Sequence, residues 1–163
     1  MDETYWLVCH TRPRCEKKFA ALMAAEKFEH YLALVESVRK YGTQVKRFTK
    51  PLFPGYVFTQ VPVELKARIY QQELLARAII VEDVPKFLRQ LEDVKAIVAS
   101  GFKLSVMPLM TKGRRVKVIA GPLNGLEGLV DDPSNPQGIV LCVDVLQQGL
   151  LVNMPVEMLK VLP

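Results

Sequence analysis

What this chain lacks narrows its class before any motif is read. No run approaches the roughly 18 consecutive apolar residues that would cross a bilayer as a helix. The opening Met1-Asp2-Glu3 has neither the basic nor the apolar stretch of a signal peptide. Together these absences predict a soluble, cytoplasmic protein with no membrane partner. Cysteine is scarce, with only Cys9, Cys15 and Cys142. Three thiols cannot all pair, and the Cys9–Cys15 spacing fits no zinc signature. With His10 and His30 the only histidines, no disulfide framework, metal site or cofactor is expected. A Gly-rich phosphate loop, a nucleophile elbow and a carboxylate pair in recognisable context are all missing, which argues against an enzyme.

What is present is an ordinary globular composition with uneven charge. The 163 residues are 50% hydrophobic and 24% charged, enough for one ordinary domain or two small ones. The net charge of +5 is confined to the first two-thirds: residues 1–105 hold 17 Lys+Arg against 12 Asp+Glu, and residues 106–163 hold five of each. Between Ser37 and Lys50 lie Arg39, Lys40, Lys46, Arg47 and Lys50, with no acidic residue. Such a stretch is either a solvated hairpin edge kept from aggregating by its lysines or a phosphate-facing patch.

Periodicity divides the chain into two textures. Tyr5–Cys9 reads as a strand, and Pro13 then suits the first turn of a helix from Arg14 to about Phe28. Strands are expected over Tyr31–Arg39, Val45–Thr49 and Tyr56–Val61, with a turn at Tyr41-Gly42-Thr43-Gln44. A helix over Val63–Leu75, a short strand over Ala78–Val81 and a third helix from Pro85 to Ser100-Gly101 complete this half. The third helix carries the stripe Val84, Phe87, Leu88, Leu91, Val94 and Val98. This order predicts an α+β fold, an antiparallel sheet with helices on one face. After Gly101 helices stop. Phe102–Lys112 reads as a linker, followed by strands at Arg115–Ile119, Leu126–Val130, Ile139–Val145, Leu150–Met154 and Leu159–Val161. Gly- and Pro-rich turns, one spanning Asp131–Pro136, separate them, so a small β-barrel is expected.

Two stretches carry a family resemblance. KGRRVKVIAGPLNGLEGLVDD, Lys112 to Asp132, resembles the KOW motif of SH3-like barrels, with Gly113, Gly121, Gly125 and Gly128 as its turn glycines. YWLVCHTRPRCEKKFAALM, followed by KPLFPGYVF at Lys50–Phe58, resembles the N-terminal domain of the NusG family of transcription elongation factors. The wording Pro-Leu-Phe-Pro-Gly-Tyr is similar to that of specialised antiterminator paralogues of the RfaH, LoaP and UpxY type. The resemblance implies a ferredoxin-like NusG N-terminal domain over residues 1–103, a linker over 104–112 and a KOW barrel over 113–163.

It also implies a function. Such a factor binds RNA polymerase at the clamp coiled coil, suppresses pausing and termination, and contacts the non-template DNA strand or nascent RNA. Along a strand, Tyr56 and Phe58 share one face and Val57, Thr59 and Val61 the other. If the valines pack under the helices, both aromatics stand on an open face beside Phe53. The resemblance makes Phe53, Tyr56 and Phe58, with Cys9 nearby, the polymerase-binding residues. It gives His10, Arg12, Arg14, Lys17 and Lys18 as nucleic-acid contacts, and charge adds Arg39, Lys40, Lys46 and Arg47. Rho or a small-subunit ribosomal protein is the barrel's candidate partner, and a monomer is expected. The His-Thr-Thr run of some specialised members is replaced by Lys66-Ala67-Arg68-Ile69. The rival readings are a ribosome- or RNA-binding KOW protein with no polymerase role, and a housekeeping factor rather than an operon-specific one.

Overall fold

A computed structural model describes residues 3–132 and 136–163. The chain divides into two compact units, one up to Val84 and one from Pro85 to Pro163. In the first unit the elements run β1 (Thr4–Thr11), α1 (Glu16–Ala25), β2 (Glu29–Tyr31), β3 (Leu34–Tyr41), β4 (Gln44–Pro51), β5 (Tyr56–Pro62), α2 (Lys66–Tyr70) and β6 (Leu75–Ile80). Its four-stranded sheet has the order β2-β5-β1-β6, every pairing antiparallel. With β3 and β4 set aside as an inserted ribbon, this is the βαββαβ order of a ferredoxin-like fold.

Alternation along the central strands builds the core. Leu7 and Cys9 of β1 and Val57 and Val61 of β5 point to one face, where Phe19 and Met23 of α1 and Ile69 of α2 cover them. Helix α1 ends in a Schellman arrangement: Phe28 N–H bonds the Met23 carbonyl and Lys27 N–H the Ala24 carbonyl, with Lys27 at φ 61. Phe28 then packs on the core, the apolar contact that usually accompanies this cap.

Three boundaries differ from expectation. The single strand expected over Tyr31–Arg39 is two. β2 pairs with β5 and β3 pairs only with β4, and the chain changes partner at buried Ala33, whose carbonyl accepts the Leu52 N–H. The helix expected over Val63–Leu75 is a 3₁₀ turn at Val63–Leu65 followed by the short α2. Leu75 instead begins β6 opposite Thr11, so β6 starts three residues earlier than expected. Tertiary pairing overrides the local helical preference here.

In the second unit follow α3 (Val84–Ser100), β7 (Leu104–Pro108), β8 (Arg114–Val118), β9 (Glu127–Val130), β10 (Gly138–Val143), β11 (Gln148–Asn153) and β12 (Leu159–Val161). All five expected strands are present, joined by β7 where a linker was expected. β7 pairs with β11 in register from Leu104↔Val152 to Pro108↔Gln148. The six strands form one antiparallel sheet in the order β12-β8-β9-β10-β11-β7. It is not a closed barrel, because β12 and β7 are its two edges. Helix α3 buries Phe87, Leu91, Val94 and Ile97, with Leu88 exposed. It groups with this unit, where the sequence reading set it at the end of the first domain. The Lys86 ammonium pairs with the Asp144 carboxylate, and Gln90 Oε1 accepts the Asp144 N–H. Of the turn expected over Asp131–Pro136, residues 133–135 lie outside the described residues.

The KOW glycines divide by role. Gly121 and Gly125 hold the left-handed conformations (φ +81 and +97) of the β8–β9 connection, which residues with a Cβ rarely adopt. Gly128 is not a turn glycine. It lies within β9, where a Cβ would come 2.6 Å from the Val140 carbonyl oxygen, so it serves close strand approach. Among the described residues no helix is long and apolar enough to cross a membrane.

Candidate nucleic-acid interface

The segment Pro51–Phe58 shapes this region. Pro51 closes β4, and Phe53-Pro54-Gly55-Tyr56 makes a tight turn in which Tyr56 N–H bonds the Phe53 carbonyl at 3.1 Å. Proline at the second position and a glycine at φ +89 at the third are the signature of a type II turn. The turn sends Phe53 into the interior and starts β5, whose alternation then turns Tyr56 and Phe58 to the face opposite the α1–α2 core. The expected open aromatic surface does not form. Phe53 and Phe58 are each only 2% exposed, and Tyr56 alone of the three is partly accessible. Cys9 is a further correction. It is fully buried in the α1–α2 core, on the other side of the sheet from Tyr56, and burial pushes its thiol pKa up from 9.0 to about 12.

Tyr56 has a specific neighbour. Its ring stacks on His10, its cross-strand partner, with centroids 4.9 Å apart and planes inclined by 12°. Gly55 makes room, since a Cβ there would lie 2.9 Å from His10 Cδ2. On the other side of His10, Arg77 of β6 occupies the same sheet face. The sequence reading did not single out Arg77. Only the β1–β6 register, which shifts between His10 and Thr11, brings it alongside.

Beside this pair opens a groove of about 900 Å³, lined by the residues after β1, the start of α1, the end of β4 and the Pro54-Gly55 turn. His10, Arg12, Arg14 and Lys17, four of the expected nucleic-acid residues, come together in its wall, joined by Lys50. Each cation is held differently. Arg12 Nε donates to the Glu73 carbonyl at 2.6 Å, which fixes the guanidinium plane and leaves its terminal nitrogens to other acceptors. Arg14 is exposed and sits at φ 62, a left-handed conformation that costs on the order of 1 kcal/mol for a residue with a Cβ. Lys17 Nζ donates to the Thr49 carbonyl at 2.7 Å, tying α1 to the base of the ribbon.

The single carboxylate in the wall, Glu16, is already engaged. Its Oε2 accepts the buried Gly55 N–H at 3.0 Å, and the residue is 7% exposed. Four permanent cations therefore face one committed carboxylate, and the potential in the groove suits a phosphate chain. Lys18 lies exposed on α1 but outside the lining.

The other four expected residues, Arg39, Lys40, Lys46 and Arg47, stand on the β3–β4 ribbon and are all exposed. Gly42 (φ 62) and Thr43 connect its strands in a two-residue turn, the compact connection that gives paired strands their usual twist. Sequence reasoning missed Tyr41 and Phe48, the ribbon's exposed rings. Their signal is the alternation Lys46, Phe48, Lys50, which places a ring between two cations on one face. Among the described residues no group of His, Cys, Asp and Glu could hold a metal ion.

Residues 4–115 match the protein family described as transcription termination factor nusG. Among curated proteins, none matches the chain.

Proposed function

Because the chain belongs to the NusG family, whose proteins are non-enzymatic transcription factors that bind RNA polymerase, we propose that it is an elongation and antitermination factor. In this reading it docks on the clamp coiled coil of RNA polymerase, suppresses pausing and termination, and holds the non-template DNA strand or nascent RNA. The observation that carries the nucleic-acid part is the groove, where Arg12, Arg14, Lys17 and Lys50 gather around one engaged carboxylate.

The polymerase-facing part falls to Tyr56 and His10. Phe53 and Phe58 are buried and offer no open ring to a partner. A factor of this kind catalyses nothing. It shifts the balance between paused and active polymerase, by no more than its differential affinity for the two states. Arginines at the groove would hold phosphates in a fork or stack on unpaired bases.

The test is recruitment to a transcription complex with an open bubble, read as pause lifetime and terminator read-through across a salt series. Wild type should shorten pauses. Arg12→Ala/Arg14→Ala should bind more weakly, with a salt slope shallower by about 0.7 for each single-strand phosphate that is no longer neutralised. No association with polymerase, or a double variant with unchanged slope and read-through, would refute this reading.

A further inference from the structure

The two faces of the β3–β4 ribbon differ in chemistry, and one of them continues the groove. Directly opposed residues share a face. Lys50, Phe48, Arg39, Lys46 and Tyr41 therefore lie on one side, and Glu36, Arg47, Val38 and Lys40 on the other. On the first side the Arg39 guanidinium rests 5.2 Å from the Phe48 ring centroid, and Lys46 Nζ lies 5.6 Å from that of Tyr41. No carboxylate shares that side. The ribbon's only carboxylate, Glu36, is on the reverse, 3.5 Å from Arg47. Tyr41 is 54% and Phe48 36% exposed. Lys50 both lines the groove and begins this face, so cations and rings run without interruption from the groove toward the ribbon's tip.

We propose that this face is a stacking platform that carries an unpaired DNA strand outward from the groove, with Phe48 and Tyr41 under the bases and Arg39, Lys46 and Lys50 against the phosphates. The proposal rests on the nucleic-acid reading of the groove and adds the occupant of the ribbon and the side it uses. Every base has a π-face, so rings interleaved with cations bind single strands with little regard to sequence. Same-face residues recur about every 7 Å along the strand, spreading rings and cations over several nucleotides. Ser37, Tyr41 and Gln44 are the side chains of this face that could accept from a ribose 2′-hydroxyl, the group by which proteins distinguish RNA from DNA. The remaining groups meet bases and phosphates, so DNA is the assigned ligand and oligouridylate its control. The same rings also stabilise the ribbon through their diagonal cations. That structural role and a binding role have different experimental signatures.

The experiment uses the full chain and a labelled oligothymidylate, with binding followed by anisotropy over a salt series and melting temperature recorded for each variant. Phe48→Ala should weaken binding roughly tenfold or more without changing the salt slope, and Phe48→Trp should restore it. Arg39→Ala/Lys46→Ala should flatten the slope by about 0.7 for each phosphate left unneutralised. The platform withdraws Lys40 and Arg47 from the expected contacts, because they stand on the reverse face. Lys40→Ala/Arg47→Ala removes the same charge there and should leave affinity nearly unchanged. Equal effects of the two charge pairs would overturn the proposal, since net charge alone would explain them. So would a Phe48→Ala variant that melts earlier but binds normally, a wild type that fails to bind, or tighter binding of oligouridylate. If Arg12→Ala/Arg14→Ala is silent while the ribbon variants act, the groove reading fails and the platform stands. The reverse pattern removes the platform and keeps the groove.

Discussion

Tyr56 and Phe58 are two residues apart on one face of β5, yet their surroundings differ: Phe58 is 2% exposed and Tyr56 is half-open against His10. Alternation alone places both rings on the side away from the α1–α2 core. It cannot say how deeply each is covered, because cover comes from chain distant in sequence. The two truncations should therefore separate. Phe58→Ala should cost about 3–5 kcal/mol of stability, as deletion of a large buried ring does. Tyr56→Ala should barely move the melting temperature but weaken polymerase binding by tens of fold, the loss of roughly 2 kcal/mol typical of a central aromatic contact. If Tyr56→Ala unfolds the protein and the folded fraction keeps its affinity, the ring is a packing residue. Cys9 gives a second test at this scale. Its thiol ionises near 9.0 when unfolded but only at about 12 when folded. The fold favours the protonated form, so this contribution is complete below pH 9 and is lost as pH rises toward 12. Urea titrations should show stability falling by up to about 1.4 kcal/mol per pH unit in that window. In Cys9→Ala this component of the fall should disappear. An identical pH profile in the variant would mean that other groups control alkaline unfolding.

At the scale of elements, legibility followed how local the cause is. The long stripe of α3 and the run Ile139-Val140-Leu141-Cys142-Val143, dense in β-branched residues, were readable because their signals lie within one segment. The division of Tyr31–Arg39 between two sheets was not, since an extended chain looks the same whichever strand it pairs with. The same limit hid β7: Leu104–Pro108 has no clear period, and only its pairing with β11 makes it a strand. The groove was half legible. The stretch from the end of β1 into α1 supplied His10, Arg12, Arg14 and Lys17, while Lys50 joins them because Lys17 holds the base of the ribbon against α1. Gly128 shows a motif residue whose reason is visible only between strands. Gly128→Ala would push a methyl against the Val140 carbonyl oxygen at 2.6 Å and Ile139 Cγ1 at 2.7 Å. It should destabilise the β9–β10 pairing by about 1–3 kcal/mol. Amide exchange of the 85–163 unit should speed up while that of the first unit stays unchanged. Unaltered protection of β9 and β10 would show that the sheet yields there without penalty.

At the scale of the whole molecule, charge and fold divide at different places, since the second unit begins at Pro85. The +5 excess lies in residues 1–105, and the balanced remainder forms a sheet that needs no phosphate partner to account for its composition. The sheet's limits also bear on where a stable C-terminal domain begins. The KOW resemblance starts at Lys112, but Leu150 and Val152 of β11 are fully buried and β11 is hydrogen-bonded on its outer side to β7. Without β7, β11 becomes an edge, its backbone groups directed at β7 between Gln148 and Val152 lose their partners, and a strand rich in Leu and Val is opened to other chains. A sheet of about 50 residues has little stability to spare. A fragment of residues 103–163 should therefore fold, with a strand-dominated far-UV circular dichroism spectrum and a cooperative melt. A fragment of residues 113–163 should melt at a lower temperature and aggregate at high concentration. A helical spectrum for residues 103–163 would contradict the fold itself. Equal melting temperatures for the two fragments would mean that β7 only decorates the sheet, and that the domain begins where the motif does.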